Sequence, residues 1–466
     1  MHRPAFAGVF IGRRAELNAL ERRYRASHAA LVPVYGRRRV GKTELLLRFS
    51  AGKPTVYFIA SDRLPTPQLS DFMRAAASWL GLAHLAEAAP DSWEAALRLV
   101  VDAAPSERKL LLVLDEFQWL CRSSPELPSV IQRLWDLEWQ RDNRLMLVLC
   151  GSVIGFMERE VLGARSPLYG RRTGDLRLEP FGYQEAGAFH PGWSIEEQAR
   201  AYFVCGGIPA YLKRLEPGRS VTQSIAREFF ELDGFFQREP EFLLREELLE
   251  VKQAASILEA VALGRHAQGD IARSVGLSPS AVAPHLKNLV ALGYLERVAP
   301  LSPERPPRTA VVYRIADPLL RFWFRFVEPS RSTLHRYAPE RAFELLVASH
   351  WEAFCGEGFE RLSREALSLI YIDEGVMGRF QVGEYWDRRV QIDVVGLRAD
   401  GWADLGECRW AARASVLDAA RELSIRAAQF PAGKRTVRQM LFVRSKPRSA
   451  APGLLVHDLE GLYAIR

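Results

Sequence analysis

The hydrophobic pattern of the chain changes character twice. Over roughly the first two hundred residues, short apolar runs alternate with stretches of helical period. The runs 29–35, 55–59, 109–115 and 145–150 are dominated by Leu, Val, Ile and aromatic residues. They are too short for ordinary helices and lack the in–out alternation of a strand with one wet face. They therefore predict strands buried on both sides, as in a parallel sheet. The segments 44–49, 71–80 and 93–103 between them place apolar residues on one helical face. A turn at 10–14 precedes a helix with Leu17, Leu20 and Tyr24 on one side; it is expected either to lie over a bound ligand or to pack. Alternating strands and helices of this kind predict a three-layer α/β core over residues 1–215, followed by a helical lid at 216–250.

From 251 to 316 the elements shorten. Helices are expected at 257–264, 269–277 and 278–292, with Gly276 in a turn, Ser278 as N-cap and Pro279 in the first turn of the third. Residues 293–298 and 310–315 read as two strands joined by a proline-rich loop carrying Arg305 and Arg308. An aromatic helix at 317–327 and a linker at 330–339 lead to a last domain, 340–466. Its expected order is helix (340–369), three strands (380–385, 390–396, 403–410), helix (415–430) and strand (438–443).

Composition changes this picture little. Hydrophobic content of 48% and charged content of 26% in 466 residues describe a soluble globular chain of about three domains. The formal charge of +7 favours anionic partners, nucleic acid first. Cys121, Cys150, Cys205, Cys355 and Cys408 form neither a C-x-x-C pair nor a metal spacing with His, and predict reduced thiols. No signal-peptide pattern opens the chain and no run of about 18 apolar residues occurs, so a cytoplasmic protein without a membrane partner is expected.

The candidate chemistry begins where the first strand ends. Gly36-Arg37-Arg38-Arg39-Val40-Gly41-Lys42-Thr43, followed by Glu44 on a helix, has the G-x-x-x-x-G-K-T spacing between strand and helix. Such a loop turns backbone N–H groups inward around phosphates, at the positive end of the next helix. Residues 36–44 are thus expected to hold ATP, with Lys42 on the β- and γ-phosphates and Thr43 on Mg²⁺. The run 109–115 ends in Asp115-Glu116, where Asp115 can orient the metal and Glu116 can activate water. Ser152, after the run 145–150, can sense the γ-phosphate or cap a helix. Arg171 and Arg172 can act as an arginine finger on a neighbouring copy's nucleotide, which requires a homo-oligomer, or can form a solvated basic loop.

These motifs resemble, in order, those of AAA+/STAND-like P-loop ATPases, and in particular the archaeal-type ATPase family. That family opens with F-x-G-R-x-x-E-L; Phe10, Gly12, Arg13, Glu16 and Leu17 fit it. Its Y-G-R-R-R-V-G-K-T, D-E, C-G-S, P-L-Y-G-R-R-T and G-G-I-P-x-Y-L motifs fall at 35–43, 115–116, 150–152, 167–173 and 206–212. The segment 251–316 resembles a winged helix, whose third helix would offer Ser278, Ser280, His285, Lys287 and Asn288 to DNA, or serve as a protein-docking face.

In the last domain Asp393 lies on one expected strand and Glu407-x-Arg409 on the next. Paired carboxylates suit Mg²⁺, which can activate water on a phosphodiester. The arrangement resembles the PD-(D/E)xK nuclease fold, with Glu360 on the preceding helix matching its helical glutamate. The resembled family reads G-E-C-K-W where this chain has G-E-C-R-W. Arginine keeps the charge but does not readily give up a proton, so the domain is expected either to cut DNA or to hold it uncut. The expected function is an ATP-hydrolysing protein acting on DNA; the competing one is a nucleotide-gated switch or accessory ATPase that docks a protein without nuclease activity.

Overall fold

The computed structural model describes residues 10–105, 107–248, 251–304, 310–411, 415–446 and 453–465. They fall into two compact units, Met1–Pro180 and Phe181–Arg466.

The first unit is built on strands β1 (Ala30–Tyr35), β2 (Thr55–Ile59), β3 (Leu110–Asp115), β4 (Leu145–Gly151) and β5 (Leu176–Arg177). All are parallel, in the order β2-β3-β4-β1-β5. Every residue of β1, β3 and β4 is buried, as continuous apolar runs demand. Alternate side chains feed two cores. Ala30, Val32 and Val34 pack with Leu20 of helix Arg14–Arg25 and with Leu45, Leu46 and Phe49 of helix Lys42–Ser50. Leu31 and Tyr35 face the opposite way, into a core built from helices Pro65–Leu80, Trp93–Ala103 and Leu127–Leu137. The result is the expected three-layer α/β core. The order of strands sets the ends of β1, β4 and β3 side by side along the carboxyl edge of the sheet, where open α/β sheets place their ligands. Helix Pro65–Leu80 starts earlier than the apolar period suggests, because proline is favoured in a first helical turn.

The second unit opens with helices that include Ile195–Cys205, Val221–Phe230 and Phe235–Glu247. Helices Val251–Ala262, Gln268–Ser274 and Pro279–Ala291 follow, then an antiparallel hairpin of β6 (Leu295–Val298) and β7 (Val312–Ile315). This is the winged-helix layout. Arg305 and Arg308 lie outside the described residues. Leu319, Leu320, Phe322, Trp323, Phe324 and Phe326 fill the central core of the unit, and Leu334 joins them from the segment read as a linker.

The last sheet has strands β8 (Phe380–Trp386), β9 (Gln391–Arg398), β10 (Trp402–Arg409), β11 (Thr436–Val443) and β12 (Leu455–Asp458), in the order β12-β11-β10-β9-β8. Pairings β8–β9 and β9–β10 are antiparallel; β10–β11 and β11–β12 are parallel. Helix Ala348–Asp373 packs with Val394, Met440 and Phe442, whereas Leu423 and Ala427 of helix Val416–Ala427 pack with Ile392, Leu397 and Leu405. The stretch read as one helix is two, Pro339–Leu346 and Ala348–Asp373, broken at Val347. Among the described residues no helix is long and apolar enough to cross a membrane.

One close backbone approach makes a sharp test of this packing. Phe181 N–H donates to the Gly207 carbonyl at 2.8 Å, and a β-carbon on Gly207 would stand 1.8 Å from the Phe181 carbonyl oxygen. Gly207→Ala should cost about 3 kcal/mol in denaturant unfolding, the scale of a forced backbone shift. Gly218→Ala, with nothing within 4 Å of its added carbon, should stay within about 0.5 kcal/mol.

Candidate functional site

The loop after β1 is shaped by three residues with positive φ: Gly36 (155°), Arg39 (65°) and Gly41 (95°). Gly36 has a second constraint, since a β-carbon there would meet the Leu178 carbonyl oxygen at 2.3 Å. Left-handed residues in a loop let its N–H groups turn towards an anion, and helix Lys42–Ser50 adds its N-terminal end. Lys42 is buried, and its ammonium donates to the carbonyls of Gly36 (2.8 Å) and Arg37 (2.9 Å) across the mouth of the loop. Glu44, half-buried, sits in the first helical turn, where a negative charge complements the helix dipole. Arg37 and Arg38 are half-buried and Arg39 is exposed.

Asp115, at the end of β3, is almost fully buried. Its Oδ2 accepts from Thr43 Oγ1 (2.9 Å) and from the Tyr57 hydroxyl (2.6 Å), and its Oδ1 from the Glu116 N–H (2.9 Å). Burial, with the Asp115 charge beside it, pushes the Tyr57 phenol far up and keeps it a donor. Glu116 takes a left-handed conformation (φ 54°, ψ 47°) before helix Phe117–Ser123. Its Oε2 accepts from the Ser152 hydroxyl (2.7 Å) and from the Gln118 amide, which also reaches Ser152 (3.1 Å). Ser152 thus turns to the acid at the end of the neighbouring strand rather than capping a helix. Asp115, Glu116, Thr43 and Ser152 are brought together as a group.

The two arginines are placed differently. Arg171 forks onto Asp136 at 2.8 and 2.7 Å, while Arg172 is 40% exposed with Asp175 at 3.5 Å. Thr173 ties their loop to β1, its N–H donating to the Leu31 carbonyl at 2.9 Å. Arg13 was not singled out as a site residue, yet it braces the phosphate loop. It is buried and donates to the carbonyls of Val40 (3.1 Å) and Glu179 (2.8 Å) and to Glu16 (2.9 Å). Its place in the G-R opening motif was the available signal. Tyr57, within an apolar strand, and Gln118, in the first turn of helix Phe117–Ser123, carried none.

In the winged helix, Ser280, Lys287 and Asn288 are exposed on helix Pro279–Ala291 and His285 is half-buried. Ser278 is exposed too, but its hydroxyl caps the helix by accepting from the Ala281 N–H at 3.2 Å.

In the last sheet, Gly383 pairs with Val395 but Tyr385 with Ile392, so Glu384 faces two residues, Asp393 and Val394. This β-bulge, a device that re-aims side chains, falls on Asp393. The β9–β10 ladder ends at Val394–Gly406, and Asp393 and Glu407 stand immediately beyond it. Asp393 Oδ2 accepts from the Cys408 N–H at 3.0 Å. Both Glu407 oxygens are taken by guanidinium groups: Oε1 by Arg409 (3.1 Å) and Oε2 by Arg426 (2.6 Å). Arg409 also pairs with Glu422. Burial and the Asp393 charge push Glu360 up to about 7. The same two causes act on Glu407 against Arg426 and Arg409. A divalent ion needs carboxylate oxygens with open lone pairs. Here two guanidinium cations already neutralise Glu407, and among the described residues no group of three or more His, Cys, Asp or Glu is arranged to hold a metal. As arranged, Glu360, Asp393, Glu407 and Arg409 do not fit a metal ion.

The chain is similar to known proteins along most of its length. Residues 10–215 match the model of an ATPase domain predominantly from Archaea, residues 251–299 the IclR helix-turn-helix domain, and residues 323–421 a family of archaeal and bacterial proteins of unknown function. An uncharacterized protein of Methanocaldococcus jannaschii is 29% identical over 405 residues, 86% of this chain and 88% of that one. An uncharacterized ATP-binding protein of the same organism is 47% identical over 45 residues, 10% of this chain and 76% of that one. Among solved structures, the Walker-type ATPase of Pyrococcus abyssi aligns with a TM-score of 0.52 at 21% identity, covering 68% of this chain and 96% of its own, and shares the fold. Over residues 10–215 the chain is thus similar to ATPase domains found predominantly in Archaea, and over residues 251–299 to a helix-turn-helix domain.

A half-buried acid on helix Ala348–Asp373, beside Asp393, gives a pH test. Glu360 binds its proton more tightly folded (about 7) than in its ordinary state at 4.5. Its contribution to stability is therefore full below about 4.5 and is lost as pH rises through about 7. Thermal melts should show wild type losing stability between about pH 4.5 and about pH 7. Glu360→Gln should flatten that slope, and an unchanged slope would contradict the burial of this acid beside Asp393.

Proposed function

We propose that this chain binds and hydrolyses ATP in its first unit and couples that cycle to DNA contact through the winged helix of its second. The observation that carries this is the convergence of Thr43 and Asp115, 2.9 Å apart, beside Glu116 and the Lys42 loop. Two hard oxygen donors at the mouth of a phosphate loop suit Mg²⁺, so Thr43 and Asp115 would hold it. Bound there, the ion supplies charge neutralisation for the β- and γ-phosphates. The N–H groups of residues 36–44 cradle the phosphates, and Lys42 exchanges the loop carbonyls for phosphate oxygens. Glu116 takes the proton of the attacking water. Both of its side-chain donors fall on Oε2, which leaves Oε1 for that proton; Ser152 and Gln118 act as positioning residues. Arg172, the more exposed arginine, is the better placed of the pair to reach a nucleotide on a second copy.

Ser280, Lys287 and Asn288 give the third helix of the winged module polar reach, and the net charge of +7 favours a polyanion. With Glu407 clasped by Arg409 and Arg426, the last domain holds DNA without cutting it. One observation favours a slow, switch-like cycle with a protein partner: Lys42 and Glu116 are both internally hydrogen-bonded at rest.

Lys42→Ala should abolish binding of a fluorescent ATP analogue. Glu116→Gln should keep that binding within about twofold and slow hydrolysis roughly a hundredfold, the usual worth of a general base. Normal turnover in Glu116→Gln would refute its role.

A further inference from the structure

The second unit contains a cavity of about 600 Å³ bordered by helix Val251–Ala262, β7 and helix Ala348–Asp373. Five arginines line it, Arg314, Arg321, Arg325, Arg361 and Arg364, against three glutamates, Glu357, Glu360 and Glu384. A second cavity of about 770 Å³, towards β6 and β8, shares Arg321, Arg361 and Arg364 with it. Arginines away from bulk water are normally neutralised by a partner. Three of these are: Arg314 pairs with Glu384, Arg325 with Glu357 at 2.8 Å, and Arg361 with Glu296 at 2.8 Å.

The other two are not. Arg364 donates to the backbone carbonyl of Asp393 at 2.7 Å. Arg321 donates Nη2 to the Phe203 carbonyl at 3.2 Å and lies 4.3 Å over the Phe354 ring. Its Nε and Nη1 are shielded from solvent and have no hydrogen-bond partner. Among the described residues neither guanidinium has a carboxylate oxygen within 4.0 Å. Burial of the guanidinium, with the Arg361 charge nearby, pushes Arg321 down to about 9, against a smaller pull from Glu357.

We infer that this cavity binds a phosphate group, with Arg321 and Arg364 as its cationic contacts. Two guanidinium groups with neutral acceptors call for a dianion or a polyanion, and the guanidinium fork matches a tetrahedral oxyanion. The volume admits a ligand the size of a nucleotide. The phosphate belongs either to a nucleic-acid backbone or to a free phosphorylated molecule. No residue of the ATP loop takes part, so the site stands independently of hydrolysis.

The test uses the full-length chain with its ATP loop filled by a non-hydrolysable analogue. Calorimetric titration with pyrophosphate should show a binding site, and Arg321→Met and Arg364→Gln should each weaken it by roughly tenfold or more, the scale of a lost charge-assisted contact. The ligand-free Arg321→Met chain should melt no lower than wild type, because a half-buried cation with two shielded, unpartnered nitrogens has been removed. A labelled DNA duplex whose affinity falls in parallel assigns the site to nucleic-acid phosphate; unchanged duplex affinity assigns it to a free phosphorylated ligand. Absence of pyrophosphate binding by wild type, or wild-type affinity in both variants, would overturn the site and leave the ATP loop untouched.

Discussion

The carboxyl edge of the first sheet depends on one buried carboxylate. Asp115 is 1% exposed, and a charge so placed is tolerable only when donors surround it. Its donors come from three places: Thr43, 72 residues away on the loop helix; Tyr57, 58 residues away on β2; and the N–H of Glu116 beside it. Satisfying this one charge therefore draws β2, β3 and the phosphate loop into a fixed relation. Glu116 is in turn held in a left-handed conformation, with Ser152 from the end of β4 on its carboxylate. Arg13 closes the arrangement from below the loop by holding the Val40 carbonyl.

The second unit treats its carboxylates in the opposite way. Glu407 is as buried as Asp115, but its neighbours are the guanidinium groups of Arg409 and Arg426 rather than hydroxyl groups. Neutral donors leave an acid negative and available to a cation; guanidinium donors neutralise it. A buried carboxylate towards the end of a strand in both units thus has different chemistry for reasons set by its partners. The surplus positive charge lies nearby, on Arg321 and Arg364, where carbonyl oxygens are the acceptors.

How far the chain could be read in advance follows from the distance over which each feature is encoded. The strands β1 to β4, the phosphate loop and the pair Asp115-Glu116 are local patterns, and apolar runs with carboxylates or glycines at their ends identify them. The winged helix is also local: Ser278, Pro279 and Gly276 mark its turns. The two-residue β5 and the four-residue β12 are too short to carry a period. Arg13 braces carbonyls 27 and 166 residues away, and Arg426 reaches Glu407 across 19 residues from another element. No spacing rule encodes such pairs. The bulge that aims Asp393 depends on the register between β8 and β9, which hydrophobic alternation alone does not set.

The central claim is that nucleotide turnover at Asp115 and Glu116 responds to DNA held by the second unit. It is tested most directly by steady-state ATP hydrolysis of the full-length chain across a range of duplex DNA concentrations. The account predicts a rate that rises several-fold to saturation with DNA and loses that rise as salt is increased, as phosphate contacts require. A rate that is the same at every DNA concentration would contradict it.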